Sequence, residues 1–167
     1  TIGGNIVNAA PCADSVPPLI AYEAEVVLQS VRGKRRMPVA DFITNGYETK
    51  LESGELLVEV ILPAPPANVL QNYDQLGRRN ALNITRLSLT SLLAFDDMGK
   101  VNLCRLVDGA LLSKPQRLTA VENALLGKPL NDESVAEALK VLDKLIEEAI
   151  GGRWSAVYKQ PVYLNIF

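Results

Sequence analysis

The chain has 167 residues, 48% of them hydrophobic and 22% charged, with a formal net charge of −2 and a pI of about 5.2. That is the composition of a globular protein sized for one ordinary domain or two small ones, and it excludes a global electrostatic pull towards nucleic acid or an acidic membrane. Histidine is absent and cysteine occurs only at Cys12 and Cys104, which excludes a Ser-His-Asp or Cys-His nucleophile, histidine-ligated zinc and a disulfide framework.

The first segment is Thr1-Ile2-Gly3-Gly4-Asn5-Ile6. Two adjacent glycines, neither with a Cβ, predict a sharp turn through which backbone can approach a ligand closely. Successive N–H groups in such a turn form an anion nest that suits phosphate. Asn5 adds an amide for its own backbone or for the ligand. A phosphate-type loop at position 1, with no initiator methionine, reads as a domain entered partway through. Val7 to Asp14, with small residues, Pro11 and an acid, reads as a continuing loop. Ser15 is placed to cap a helix with Pro17 and Pro18 in its first turn and Leu19, Ile20 and Ala21 on its buried face.

Val26-Val27-Leu28 predicts a strand, and Met37-Pro38-Val39 its return after a turn at Ser30–Lys34. The crowded Arg32, Lys34, Arg35 and Arg36 read as a solvated hairpin turn. Asp41-Phe42 begins a short helical or irregular connection. Glu55 to Leu62 predicts a clear strand, stopped by Pro63, Pro65 and Pro66, a stiff stretch that serves as a candidate domain boundary. Val69 to Leu76 can be a strand. Ile84–Phe95 and Val101–Leu112 predict a hairpin joined at Asp96-Asp97-Met98-Gly99-Lys100. Pro115 then opens a helix carrying Leu118, Val121, Leu125 and Leu126 and ended by Gly127. A capping box of Ser134 and Glu137 starts the best-specified helix, with Val135, Ala138, Leu139, Leu142, Leu145, Ile146 and Ala149 at helical spacing and Gly151-Gly152 at its end. Trp154 to Phe167 reads as a last helix with Trp154 and Tyr158 as packing anchors and Tyr163 inward. Cys12 and Cys104 read as buried small apolar residues of a reducing cytoplasm. The order predicts an α+β fold, a small antiparallel sheet with helices on one face, and not a doubly wound sheet.

Three separated segments together resemble the FAD-binding (medium) subunit of the molybdenum hydroxylases, the group of xanthine, carbon monoxide and nicotinate dehydrogenases. Thr1–Ile6 with Pro11-Cys12-Ala13-Asp14 is similar to that family's second flavin-binding loop. Glu55-Leu56-Leu57 running through Val60-Ile61-Leu62 to Pro63 is similar to the strand that touches the isoalloxazine ring. Tyr73-Asp74-Gln75-Leu76-Gly77-Arg78-Arg79, with Trp154 to Lys159, looks like the start and finish of its C-terminal domain.

The resemblance implies residues 1–66 as the C-terminal portion of a vanillyl-alcohol-oxidase-type FAD-binding domain. Residues 67–167 would be a three-stranded α+β domain with helices. It implies an FAD-dependent oxidoreductase subunit of the cytoplasm, passing electrons from iron–sulfur (2Fe-2S) clusters on a small subunit through FAD to NAD or another acceptor. Molybdopterin would sit on a large subunit. Carried over by position, Thr1, Gly3, Gly4 and Asn5 would contact the FAD pyrophosphate. Val7, Asn8, Ala13 and Asp14 would lie along the same loop near the phosphates, ribose or adenine, and Leu56 and Leu57 would lie against the flavin ring. Asp14 would face a ribose hydroxyl or a backbone N–H rather than a phosphate, or cap the following helix. No residue is implied as an acid or base, because the cofactor carries the chemistry. Two departures stand out. Asp74 and Gln75 occupy the place where the family commonly has a lysine, and the family's first Gly-rich flavin loop is absent. The alternatives are a non-catalytic fragment that keeps only the subunit-interface domain, or a stand-alone flavin oxidoreductase of the same fold.

Overall fold

The computed structural model describes residues 1–77, 79 and 83–167; Arg78 lies outside them. Helix α1 spans Ile2–Asn8 and α2 spans Val16–Ala21, followed by strands β1, Glu25–Ser30, and β2, Gly33–Pro38. A single turn, α3 (Val39–Phe42), leads to the short pair β3 (Ile43–Asn45) and β4 (Glu48–Thr49), and then to β5 (Leu56–Ile61). The first sheet has the order β2-β1-β5 and both of its pairings are antiparallel. Central β1 supplies the fully buried Val26 and Leu28, which meet Ile6, Val16, Ile20, Val39 and Phe42 in one core. The β1–β2 turn closes on Ser30↔Gly33, where Gly33 has φ 128°, a conformation that a side chain would strain.

Strands β6 (Leu70–Leu76), β7 (Leu87–Phe95), β8 (Val101–Gly109) and β9 (Gln116–Arg117) form a second antiparallel sheet in sequence order. The tight β7–β8 connection is held by Asp96, whose Oδ1 accepts from the N–H groups of Met98 and Lys100, both at 2.9 Å. Helices α4 (Thr119–Leu125), α5 (Asp132–Ile150) and α6 (Ala156–Ile166) cover one face. From α5, Ala138, Leu142, Ile146 and Ile150 recur every fourth residue and enter a core with Leu87, Leu89, Leu106 and Tyr163. The opposite face is covered as well: Leu92 and Val107 belong to the first core, beneath α2. Coverage on both faces leaves β7 buried or half-buried along its whole length, Ser88 and Thr90 included.

Several local expectations change. Thr1–Ile6 is not a turn but the start of α1, and Val7-Asn8 continue it. Thr1 caps the helix, and burial of Ile6 offsets the cost of two glycines, each about 1 kcal/mol relative to alanine. Ser15 stands at the cap position of α2 without capping it, because its hydroxyl donates to Asn5 Oδ1 at 2.6 Å. Pro115 opens no helix. Gln116 and Arg117 pair with Asp108 and Val107 of β8 first, and α4 starts at Thr119. The capping box of α5 is Asn131 with Ser134, one turn earlier than Ser134 with Glu137, and Glu137 instead pairs with Lys128. On α6, Tyr163 is fully buried, but Tyr158 is 50% exposed and Trp154, just before the helix, 90%, so neither anchors it. Cys104 is buried and Cys12 only half-buried. The second sheet has β9 as a fourth strand beyond the three implied by the resemblance.

Candidate functional site

The start of α1 lies against the start of β5. Thr1 Oγ1 accepts from the Gly4 N–H at 3.0 Å, and the Asn5 N–H donates to the Thr1 carbonyl at 3.1 Å. A Cβ at Gly3 would stand 3.5 Å from Leu57 Cδ2, so this helix turn packs directly on the strand. A Cβ at Gly4 would stand 3.2 Å from Thr1 Oγ1, crowding the cap. Leu57 is half-buried against the first core, whereas its neighbour Leu56 is 71% exposed, as the alternation of a strand requires. The fold therefore brings Thr1, Gly3, Gly4 and Leu57 together and leaves an exposed leucine beside them. Asn5 is tied to the head of α2 through Ser15. Val7 packs on the first core and Asn8 is exposed at the end of α1. A flavin-type cofactor would find here a glycine pair with no side chain over the backbone and an exposed leucine on the adjoining strand.

The strand that presents Leu56 and Leu57 is anchored one residue earlier. Glu55 accepts both arms of the Arg35 guanidinium, Nε and Nη2, each at 2.7 Å. It also accepts the Glu52 N–H at 2.8 Å, and Arg35 Nη2 donates onward to the Lys50 carbonyl at 2.6 Å. The guanidinium fork and that backbone donor hold the Glu55 carboxyl down at about 2. Arg32 and Arg36 form exposed pairs with Glu52 and Glu25, as a solvated hairpin should. Arg35 is different: it fixes where β5 begins. Sequence reading placed it among turn charges, and only the 20-residue separation of two opposite charges could have hinted at the pair.

Ala13 is buried and Asp14 is exposed in the turn before α2. Asp14 does not cap α2, whose cap position is Ser15. Its Oδ1 accepts from the Tyr73 hydroxyl and Gln75 Nε2, both at 3.3 Å, and from the Thr85 hydroxyl. Gln75 also donates to Thr85 Oγ1. This clasp joins the segment carrying the glycines to β6 and to the connection before β7, across 59 to 71 residues of chain. No sequence pattern announces it. Burial, with a smaller push from the Asp14 charge, raises the Tyr73 hydroxyl to about 12, so Tyr73 stays a donor. A second tie runs from Arg105 of β8, whose Nη2 pairs with Glu23 at 2.7 Å while Nη1 donates to the Ala21 carbonyl at 3.0 Å. Among the described residues no helix is long and apolar enough to cross a membrane.

Comparison with known proteins agrees with this arrangement. Residues 1–65 match the FAD-binding domain found in molybdopterin dehydrogenases, and residues 71–167 match the carbon monoxide dehydrogenase flavoprotein C-terminal domain. The nicotinate dehydrogenase FAD-subunit of Eubacterium barkeri is 29% identical over 100% of this chain and 57% of its own length. The glyceraldehyde dehydrogenase medium chain of Sulfolobus acidocaldarius is 30% identical over 97% of this chain and 57% of its own. The solved carbon monoxide dehydrogenase of Hydrogenophaga pseudoflava, in a form lacking the Mo-pyranopterin moiety of the molybdenum cofactor, superimposes with a TM-score of 0.88 at 30% identity. That match covers 99% of this chain and 57% of that one. The chain thus spans a little over half the length of the relatives it matches. With both segments matched in order, the chain belongs to the FAD-binding subunit family of the molybdenum hydroxylases.

Proposed function

We propose that this chain forms part of an FAD site within a molybdenum hydroxylase. Its subunit would pass electrons from the iron–sulfur (2Fe-2S) clusters of a small subunit, which receive them from a molybdopterin-bearing large subunit, to NAD or another acceptor. The observation that carries the reading is the packing of Gly3 on Leu57 inside a segment that matches an FAD-binding domain. Thr1, Gly3, Gly4 and Asn5 would border the pyrophosphate, with the Gly3 N–H and the Asn5 side-chain NH2 as its donors, since Thr1 takes the N–H groups of Gly4 and Asn5. Val7 and Asn8 line the continuation of that path, and the small side chain of Ala13 leaves room beside it. Asp14 takes a ribose hydroxyl while its Oδ1 stays on Tyr73, Gln75 and Thr85. Leu56 would lie against the flavin ring, and Leu57, packed inward on the first core, would hold that part of β5 in place beside it. FAD, when bound, supplies the redox chemistry, and the protein's part is to position it and exclude water. The chain would act in the cytoplasm, with residues 1–66 serving the cofactor and 67–167 the subunit interfaces.

An absorbance spectrum of the purified subunit tests this. A flavin band at roughly 450 nm that survives gel filtration is expected, as for any tightly held flavin. Gly4→Val, which drives a branched side chain into Thr1 Oγ1, should abolish that band while leaving the far-UV circular dichroism unchanged. A colourless protein that takes up no added FAD overturns the reading. Full retention of flavin by Gly4→Val overturns the placement at α1.

A further inference from the structure

A cavity of about 300 Å3 opens between α2 and the β6–β7 pair. Its walls are Pro18 and Tyr22 on the helix side and Gln71 and Tyr73 on β6, with Thr90 and Leu92 of β7 as its floor. Register explains the grouping: Gln71↔Leu92 and Tyr73↔Thr90 are cross-strand partners, so their side chains share one face of the sheet. The Tyr22 hydroxyl donates to Gln71 Oε1 and ties the helix wall to the strand wall.

Thr90 is 3% exposed, and its Oγ1 is the buried side-chain polar atom that has no hydrogen-bond partner among the described residues. Native proteins keep few such atoms, because a buried hydroxyl without a partner has given up its water for nothing. Thr90 is one of the residues on the floor of this cavity, which is large enough for a ring. No charged side chain contributes to that lining, so an ion entering it would lose hydration without gaining a counter-charge. Two tyrosines, a proline and a leucine supply the flat apolar contacts that favour an aromatic guest.

We propose that this cavity binds a neutral planar aromatic ring bearing an amide or lactam group, with Thr90 Oγ1 hydrogen-bonded to that group. The cavity lies apart from the α1–β5 packing but shares Tyr73 with the Asp14 clasp, and the proposal does not rest on a bound flavin.

Titration of the 15N-labelled chain with benzamide, followed by NMR, tests the proposal. Saturable shifts are expected at the amides of Tyr22, Gln71, Thr90 and Leu92. Benzoate, the charged analogue of equal shape, should bind at least about tenfold more weakly. Thr90→Val keeps the β-branched shape and should weaken benzamide about tenfold, whereas Thr90→Ser retains binding. Should Thr90→Val fail to fold, Tyr22→Ala on the helix wall gives the same reading, again with about tenfold loss. Absence of saturable shifts in the native chain overturns the proposal and leaves only a water-filled gap. Equal affinity for benzoate, or an unchanged affinity in both Thr90→Val and Tyr22→Ala, overturns it too.

Discussion

Asp108 should make this protein's stability fall as the pH rises from about 4 to about 7. The residue is 0% exposed on β8, opposite Leu89 of β7 and Gln116 of β9. Its carboxyl accepts from the Leu112 N–H at 3.1 Å and the Gln116 N–H at 3.3 Å. Lys159 lies near enough to favour its charge, but that ammonium donates to the Ala110 carbonyl at 2.5 Å. Burial outweighs all of these and lifts the carboxyl from its ordinary 3.8 to about 7. A folded-state value above the unfolded one means that the native chain holds a proton which the unfolded chain has already released. Below about pH 4 both states are protonated and the group is neutral in its effect. Above about pH 7 both are ionised and the full cost of the buried charge is felt. A shift of that size corresponds to about 4 kcal/mol. Asp108→Asn mimics the protonated form at every pH. Urea unfolding of both proteins from pH 4 to pH 8 should show the variant gaining on the native chain across the window, by up to about 4 kcal/mol, and levelling off above it. A difference between the two that does not change with pH would refute the reasoning, because Asp108 would then be ionised in both states throughout.

Glu55 behaves in the opposite sense. Its carboxyl, held at about 2 by Arg35 and the Glu52 N–H, stabilises the fold above its ordinary range and loses that contribution as the pH falls from about 4.5 towards 2, so Glu55→Gln should flatten the acid limb of a thermal-melt profile. Leu142→Ala removes a fully buried side chain from the α5 core and should cost about 2–5 kcal/mol in urea unfolding, with the slope against denaturant unchanged. Asn131→Ala breaks the bond from Asn131 Oδ1 to the Ser134 N–H, 2.9 Å long, and should cost about 1 kcal/mol, seen as earlier hydrogen exchange in the first turn of α5.

Much of the fold is legible in local chemistry. The β1–β2 hairpin follows from a β-branched run and Gly33, the β7–β8 hairpin from Asp96 and Gly99, and the body of α5 from leucine and isoleucine at helical spacing. What misleads is whatever depends on a partner distant in the chain. Gly3-Gly4 has the local form of a turn, yet Ile6 is pulled into the first core and the segment winds into a helix around that contact. Trp154 and Tyr158 have the composition of core residues, but both are exposed, while Tyr163 is the aromatic side chain that α6 buries, with its hydroxyl donating to the Ser88 carbonyl at 3.3 Å. The capping box of α5 moves back because Asn131 supplies a better acceptor than Ser134 can from inside the first turn.

The sequence by itself determined the composition class, the absence of histidine chemistry, the order of the longer strands and helices from α2 onward, and the family, since each of these is written in residues close together or in ordered motifs. Tertiary structure alone decided that Gly3 meets Leu57, that Arg35 fixes the start of β5, that Asp14 clasps Tyr73, Gln75 and Thr85, and that Thr90 is left buried beside a cavity. Those contacts join residues far apart along the chain. Their energy depends on burial and on the direction of donors and acceptors, which exist only once the two cores have packed.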